Sequence, residues 1–332
     1  MNKSNIHSFY SLDHNVILNE LEKALDSQTT GARCTGKLMA LNSVENRVLS
    51  FDLENGEEYV AKFYRPGRWN IDQLAEEHSF VSALVDYEVP VVRAITLRGS
   101  NTEIPSLAKT DQGIFFCIYP KMRGRLKDEL SEAELKILAR FLARLHIIGT
   151  QHPLKHRKTL EIDAWLWDSI DDLDRSEEAD NPMAQRYLQL ADDNAIIIGA
   201  AIEGLDKISI HGDCHVGNVL WNELGPFFTD FDDCMTGPPV QDLWMILKDR
   251  GEAGEKQRDS FLEAYEEIKP FERESLVAIE SLRALRMLHY NAWIARRWDD
   301  PSFKRLFPHF GSSEWWREEI QALHECLECL SS

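Results

Sequence analysis

Between residues 208 and 221 the chain reads ISIHGDCHVGNVLW. Apolar, strand-like positions give way there to His211, Asp213, Cys214, His215 and Asn218, and apolar residues resume at Val219. A second apolar run, PFFTDFDD, ends in Asp230, Asp232 and Asp233. Paired as a hairpin through NELGP, the two runs bring Asn218 and Asp230 together. An Asn and an Asp offer hard oxygens to Mg2+, which keeps several waters and takes further ligands from phosphates. Asp213 is then left to face a substrate. Zinc is the other reading of two histidines and a thiol. However, His211, Cys214 and His215 point in alternating directions on a short segment, with no further ligand cluster at usable spacing.

In phosphoryl transfer an Asp accepts the hydroxyl proton, an Asn five residues on binds metal, and a later Asp binds metal across the phosphates. Asp213, Asn218 and Asp230 stand in that order. Upstream, VAKFY puts Lys62 on a strand, and the following helix carries Glu76 and Glu77, either able to pair with it. Glu77 is the preferred partner, which leaves Glu76 as solvated helix surface.

The elements that must position these residues are legible in outline. Residues 35–64 read as strands broken by a turn at ENGEE, and 113–120 as another strand rich in aromatic and β-branched residues. NIDQLAEEHSFVSALVDY, 70–87, reads as a helix with Leu74, Val81 and Leu84 on one side. Ser131 and Glu134 form a capping box ahead of a helix whose Leu135, Leu138, Leu142 and Leu145 follow one face. Helices dominate thereafter. The expected class is α+β: two lobes, a small β-rich N-lobe carrying one helix (1–119), a hinge (120–124) and a larger, mainly helical C-lobe (125–332).

Composition sets the outer limits. The chain of 332 residues has 37 basic and 56 acidic side chains, a net charge of −19. Such a chain is a poor candidate for neutralising nucleic-acid phosphates. It has no apolar run of membrane-spanning length and no secretory h-region in MNKSNIHSFYSLDHN. A cytoplasmic monomer with no nucleic-acid or membrane partner is expected. Its six cysteines show no disulfide framework and read as reduced thiols. Cys326 and Cys329 have zinc or redox spacing but read as ordinary helix-face residues.

HGDCHVGN followed by DFDD resembles the aminoglycoside-phosphotransferase-like kinases, as does LARLH with Gly149. More narrowly, LNSVENRV, KFYRPGRW, GPPVQDLWMIL and LRALRMLHYNAWIARRW resemble the bacterial stress response kinase A family of Ser/Thr protein kinases. The resemblance makes the two lobes a protein-kinase-like fold and implies ATP as donor, Mg2+ as cofactor, and a protein Ser/Thr hydroxyl as acceptor in a stress response. It makes Asp213 the catalytic base, Asn218 and Asp230 the Mg2+ ligands, and Lys62 the phosphate-binding lysine. Ser43 would cover the phosphates, backbone near Ile118–Met122 would meet adenine, and Asp242 would brace the catalytic loop. A small-molecule hydroxyl kinase of the aminoglycoside, choline or homoserine type is the alternative, since the same residues serve both.

Three departures stand out. LNSVEN has no glycine where kinases have a glycine-rich loop. The loop reads His-Gly-Asp, not His-Arg-Asp, and six residues separate Asp230 from Gly237, where regulated kinases have a long activation segment. Arg283, Arg286, Tyr290, Trp293, Arg296 and Arg297 are a candidate acceptor wall. For several residues a plain reading stands beside the chemical one. His211 is expected to hold the loop, and His215 to pack in it or place the base. Asp232 and Asp233 are expected to be solvated, with Asp232 a second-metal candidate, and Cys214 and Cys234 to be small buried side chains.

Overall fold

The computed structural model describes residue 9 and residues 12–331; the first eight residues, on which part of the N-terminal reading falls, lie outside the described residues. The described chain divides into two compact units. One runs up to Arg157 and takes in Val216–Asp232; the other comprises Lys158–His215 and the chain from Asp233 onward.

The first unit is built on an antiparallel sheet of β1 (Cys34–Ala40), β2 (Arg47–Leu53), β3 (Glu58–Phe63), β4 (Ala108–Lys109) and β5 (Phe115–Pro120), in the order β1-β2-β3-β5-β4. Successive strand side chains point to opposite faces. Ala61 and Phe63 therefore join the core with Ile17 and Leu21 of α1 (His14–Ala24). Lys62, between them in sequence, shares the other face with its register partner Cys117.

Helix α2 (Ile71–Asp86) starts at Asn70, which forms a capping box with Gln73. Its buried residues include Leu74, Glu77, Val81 and Leu84. Their spacing of three, four and three residues is one helical stripe. Glu77 is buried because it lies on the stripe, and Glu76 lies off it. Helix α3 (Glu132–Gln151) is capped by Ser131 with Glu134, as the sequence predicts, and buries Leu135, Leu138, Leu142 and Leu145.

Strands β6 (Ile208–Ile210), β7 (Val219–Asn222), β8 (Gly225–Phe228) and β9 (Met235–Gly237) follow. β7 and β8 form an antiparallel hairpin from Val219↔Phe228 to Asn222↔Gly225. The hairpin joins the first unit through Arg125 and Trp221, each of whose N–H donates to the other's carbonyl at 2.9 Å, and through Phe228 N–H to Pro90 O at 2.8 Å. The 120–124 segment thus falls inside the first unit.

In the second unit β6 pairs with β9, Ile208 opposite Gly237. Beyond them lie α4 (Val240–Ile246), buried along its whole length, α5 (Ile279–Arg296) and α6 (Ser313–Leu330). The β7–β8 hairpin turns at NELGP as the sequence predicts, whereas β9, the three residues Met235–Gly237, carries no strand signal of its own. Among the described residues, no helix is long and apolar enough to cross a membrane.

Candidate active site

Lys62 is the centre of a buried charged cluster in the first unit. Its Nζ lies 3.6 Å from Glu77 Oε1, 3.1 Å from Asp230 Oδ1 and 3.0 Å from Asp232 Oδ1. Burial works to lower the Lys62 pKa, but Asp232, Asp230 and Glu77 outweigh it and hold the ammonium well above its ordinary value. For Glu77 burial dominates and raises the carboxyl against the pull of Lys62 and Arg157.

Asp232 is buried rather than solvated, because cations surround it. Arg68 Nη1 lies 3.1 Å from its Oδ2, and Asn46 Nδ2 donates to the same oxygen at 3.1 Å. Burial opposes its charge, yet Arg68, Lys62 and Arg157 together hold it well below the usual carboxylate range. Those contacts make Asp232 the anchor of a charge network.

Arg157 was not singled out in the sequence. Its side chain is fully buried, with Nη1 3.6 Å from Glu77 Oε2. Nη2 donates to the carbonyls of Asp232 and Phe231, and the guanidinium lies 3.8 Å from the centre of the Trp69 ring. Nor is Glu76 plain helix surface. It accepts the backbone N–H groups of Lys155, His156 and Arg157 at 2.5, 2.7 and 2.8 Å. Burial acts to raise Glu76, and these three N–H groups overcome it and lower its pKa. Together Glu76 and Arg157 fasten α2 to the segment that carries Asp230.

Asn218 and Asp230 stand at the two feet of the β7–β8 hairpin. The Asn218 carbonyl accepts from Thr229 N–H at 2.9 Å and from Thr229 Oγ1 at 3.1 Å, so the residue before Asp230 is bonded to Asn218. Asp230 itself adopts φ 58°, a left-handed conformation uncommon for a non-glycine residue, and its side chain is about half exposed. Among the described residues no group of three or more His, Cys, Asp or Glu side chains could hold a metal. An Asn–Asp pair of hard oxygens instead fits a cation that completes its shell from phosphates and water.

The glycine-less loop between β1 and β2 is tied to the same cluster. Ser43 is exposed and its Oγ accepts from Asn46 N–H at 3.3 Å. Asn46 reaches Asp232, and Glu45 lies 3.6 Å from Arg65 and 3.7 Å from Arg68. Ile118 is buried in β5 with its carbonyl accepting from Ile95 N–H at 2.8 Å, whereas Met122 lies half-buried in irregular chain beyond the strand.

Asp213 belongs to the second unit. Its loop is braced by Asp242, whose Oδ2 and Oδ1 accept the N–H groups of His211 and Gly212, each at 2.8 Å. His211 is fully buried, and its Nδ1 accepts from Asp213 N–H at 3.3 Å. Gly212 adopts φ +82°, and a Cβ there would stand 2.3 Å from the Asp233 carbonyl oxygen. This is why the loop reads His-Gly-Asp, with glycine where the His-Arg-Asp pattern has arginine. Arg286 Nη2 lies 2.6 Å from Asp213 Oδ1, and His215 Nε2 lies 3.6 Å from Oδ2. Cys214 is buried, and burial pushes its thiol well above its ordinary pKa. None of the six cysteines is in a disulfide.

Residues 37–279 match the model of the phosphotransferase enzyme family. The stress response kinase A of Escherichia coli is 35% identical over 301 residues, covering 90% of each chain. The chain belongs to the phosphotransferase enzyme family, with the stress response kinases A. It is a kinase. A relative named serine/threonine protein kinase RdoA, from Salmonella typhimurium, is 34% identical over 299 residues, covering 87% of this chain and 88% of the relative. Among solved structures, an amicoumacin kinase in complex with AMP-PNP, Ca2+ and Ami superposes with a TM-score of 0.73 at 16% identity, covering 97% of this chain and 96% of that one. That likeness establishes the α+β, protein-kinase-like fold.

Within this family frame, Lys62 contacts both Glu77 and Asp230, Asn218 adjoins them through Thr229, and Ser43 connects through Asn46 and Asp232. Arg68 and Arg157 are the residues that the sequence reading missed. Arg68 lies inside KFYRPGRW, so that segment was a usable signal, whereas Arg157 sits in a loop with no periodicity to mark it.

Proposed function

We propose that the chain is an ATP- and Mg2+-dependent protein kinase that phosphorylates Ser or Thr hydroxyls, acting as a cytoplasmic monomer in a bacterial stress response. The observation that carries the reading is the buried Lys62–Glu77 pair with Asp230 3.1 Å from the same ammonium. A lysine held charged by three carboxylates is suited to phosphate oxygens, and Glu77 fixes where it points. The name of the Salmonella Ser/Thr kinase supports the acceptor class, and the names of the kinase A relatives support the stress response. The AMP-PNP and Ca2+ of the amicoumacin kinase support a nucleotide with a divalent cation.

In this reading Lys62 binds phosphate oxygens and Ser43 covers the phosphates. Backbone between Ile118 and Met122 receives the adenine. The Mg2+ that Asn218 and Asp230 would hold supplies charge neutralisation at the phosphates. Asp213 accepts the hydroxyl proton as the acceptor oxygen bonds to the γ-phosphorus and the bridging bond to the β-phosphate breaks, releasing ADP. His211 and Asp242 keep the loop in shape, and His215 lies beside the base.

The test is phosphotransfer from labelled ATP to a generic protein acceptor and, in parallel, to a panel of amino sugars, amino alcohols and homoserine, with and without Mg2+. Label in protein Ser or Thr that needs Mg2+ and is lost in Asp213→Asn is the expected result. Label confined to a small hydroxyl compound would establish the alternative acceptor class. Full transfer by Asp213→Asn would remove Asp213 as base.

A further inference from the structure

Asp213 is not open on all sides to an acceptor. Arg286, on α5, meets its Oδ1 at 2.6 Å, and His215 lies beside Oδ2 at 3.6 Å. Burial holds His215 below its ordinary pKa despite the opposing pull of Asp213, so at neutral pH the imidazole is neutral and the guanidinium is the charged neighbour. Of the other residues in the candidate wall, Arg283 is committed to the carbonyls of Leu247 and Lys248 at 3.5 and 2.7 Å, and Arg296 to Asp172 at 2.7 Å. Arg286 is the one of these three arginines that reaches Asp213.

A hydroxyl has to donate to an Asp213 oxygen before its proton can pass. A neutral acceptor that takes Oδ1 would strip a half-buried guanidinium of its carboxylate, which is costly for a charged donor. An acceptor that brings its own anion replaces the partner it displaces, in a bidentate geometry suited to arginine. We propose that Arg286 is a specificity-determining residue that selects Ser or Thr hydroxyls lying within about two residues of an anionic group, a carboxylate or a phosphomonoester. The reach follows from the geometry. With Arg286 and Asp213 only 2.6 Å apart, groups bound to each are neighbours along an extended peptide that advances ~3.3–3.6 Å per residue. Tyr290, one turn along α5 and stacked on Trp293 with ring centres 5.5 Å apart, gives that peptide an exposed aromatic flank. This preference rests on the reading of Asp213 as proton acceptor, and it sets a local cation against a chain whose net charge is −19.

The experiment measures kcat/KM of the full chain, with ATP and Mg2+, on four peptides sharing one Ser in a neutral frame. The neighbouring residue is Ala, Asp, phosphothreonine or Lys. Preference for the Asp or phosphothreonine peptide over the Ala peptide by about ten-fold is expected, with the Lys peptide last. The larger of the two ratios identifies carboxylate or phosphate as the anion. Arg286→Gln should level the acidic and neutral peptides, Arg286→Glu should favour the Lys peptide, and Arg286→Lys should keep the sign of the wild-type preference. A melting curve confirms that each variant is folded. If Arg286 only orients Asp213, its variants lower kcat on every peptide in proportion and leave the ratios intact, which overturns the proposal. Equal wild-type rates on all four peptides overturn it while leaving the kinase reading standing. Transfer to no peptide, with transfer to a small hydroxyl compound, overturns the protein-acceptor reading and this inference together.

Discussion

Arg157 and Glu77 meet at 3.6 Å, two fully buried side chains eighty positions apart in the sequence, and the same guanidinium holds the carbonyl of Asp232. One side chain therefore links the helix that orients Lys62 with the segment that carries Asp230. Removing one member of a buried ion pair strands the other and costs about 3–5 kcal/mol. Arg157→Ala should lower the melting temperature sharply and raise the KM for ATP. Arg157→Lys should recover part of the stability but not the ATP affinity, because a compact ammonium lacks the planar fork that spans Glu77 and two carbonyls.

Glu76 gives a pH dependence whose sign is fixed by its depressed pKa. A carboxylate lowered on folding stabilises fully above its unfolded pKa, ~4.3, and loses that contribution as pH falls through the folded value. Glu76→Gln should be less stable than wild type by about 1 kcal/mol at pH 7, partial exposure discounting the full value of charged hydrogen bonds. The gap in melting temperature should close as pH drops below ~4. A gap that stays constant down to pH 3 would remove the three backbone bonds as its source.

Gly212→Ala should be disabling out of proportion to one methyl group. The left-handed conformation alone costs a non-glycine residue about 1–2 kcal/mol. The added carbon would also stand 2.3 Å from the Asp233 carbonyl. Phosphotransfer should fall while the far end of the second unit, followed by hydrogen exchange in α6, keeps its protection.

Phosphorylation should not be needed to switch the enzyme on. The six residues between Asp230 and Gly237 form a 3-10 turn and the start of β9, which is paired to β6, so no free segment exists there to be ordered. Activity should be unchanged after phosphatase treatment. A loss mapped to a site within 231–236 would refute this.

Much of this was legible in the sequence because it is local. VAKFY places Lys62 by strand alternation, the stripe of Leu74, Val81 and Leu84 selects Glu77 over Glu76, and Ser131 with Glu134 announces a helix start. What stayed hidden is tertiary. The acids of DFDD look like solvated loop residues until Arg68, Arg157 and Asn46 converge on Asp232. Likewise, Arg286 is one arginine among several on a helix until it is found against Asp213, 73 positions away. Charge pairing at long range leaves no period for sequence reading to find.

The β7–β8 hairpin separates spacing from length. Asn218 and Asp230 are set by its feet, while Leu224 at the tip is 83% exposed and bears on neither. Residues spliced in at that turn would lengthen the chain between the two oxygens without moving them. The tip is thus a natural point for grafting a dye, an epitope or a tether onto a working enzyme.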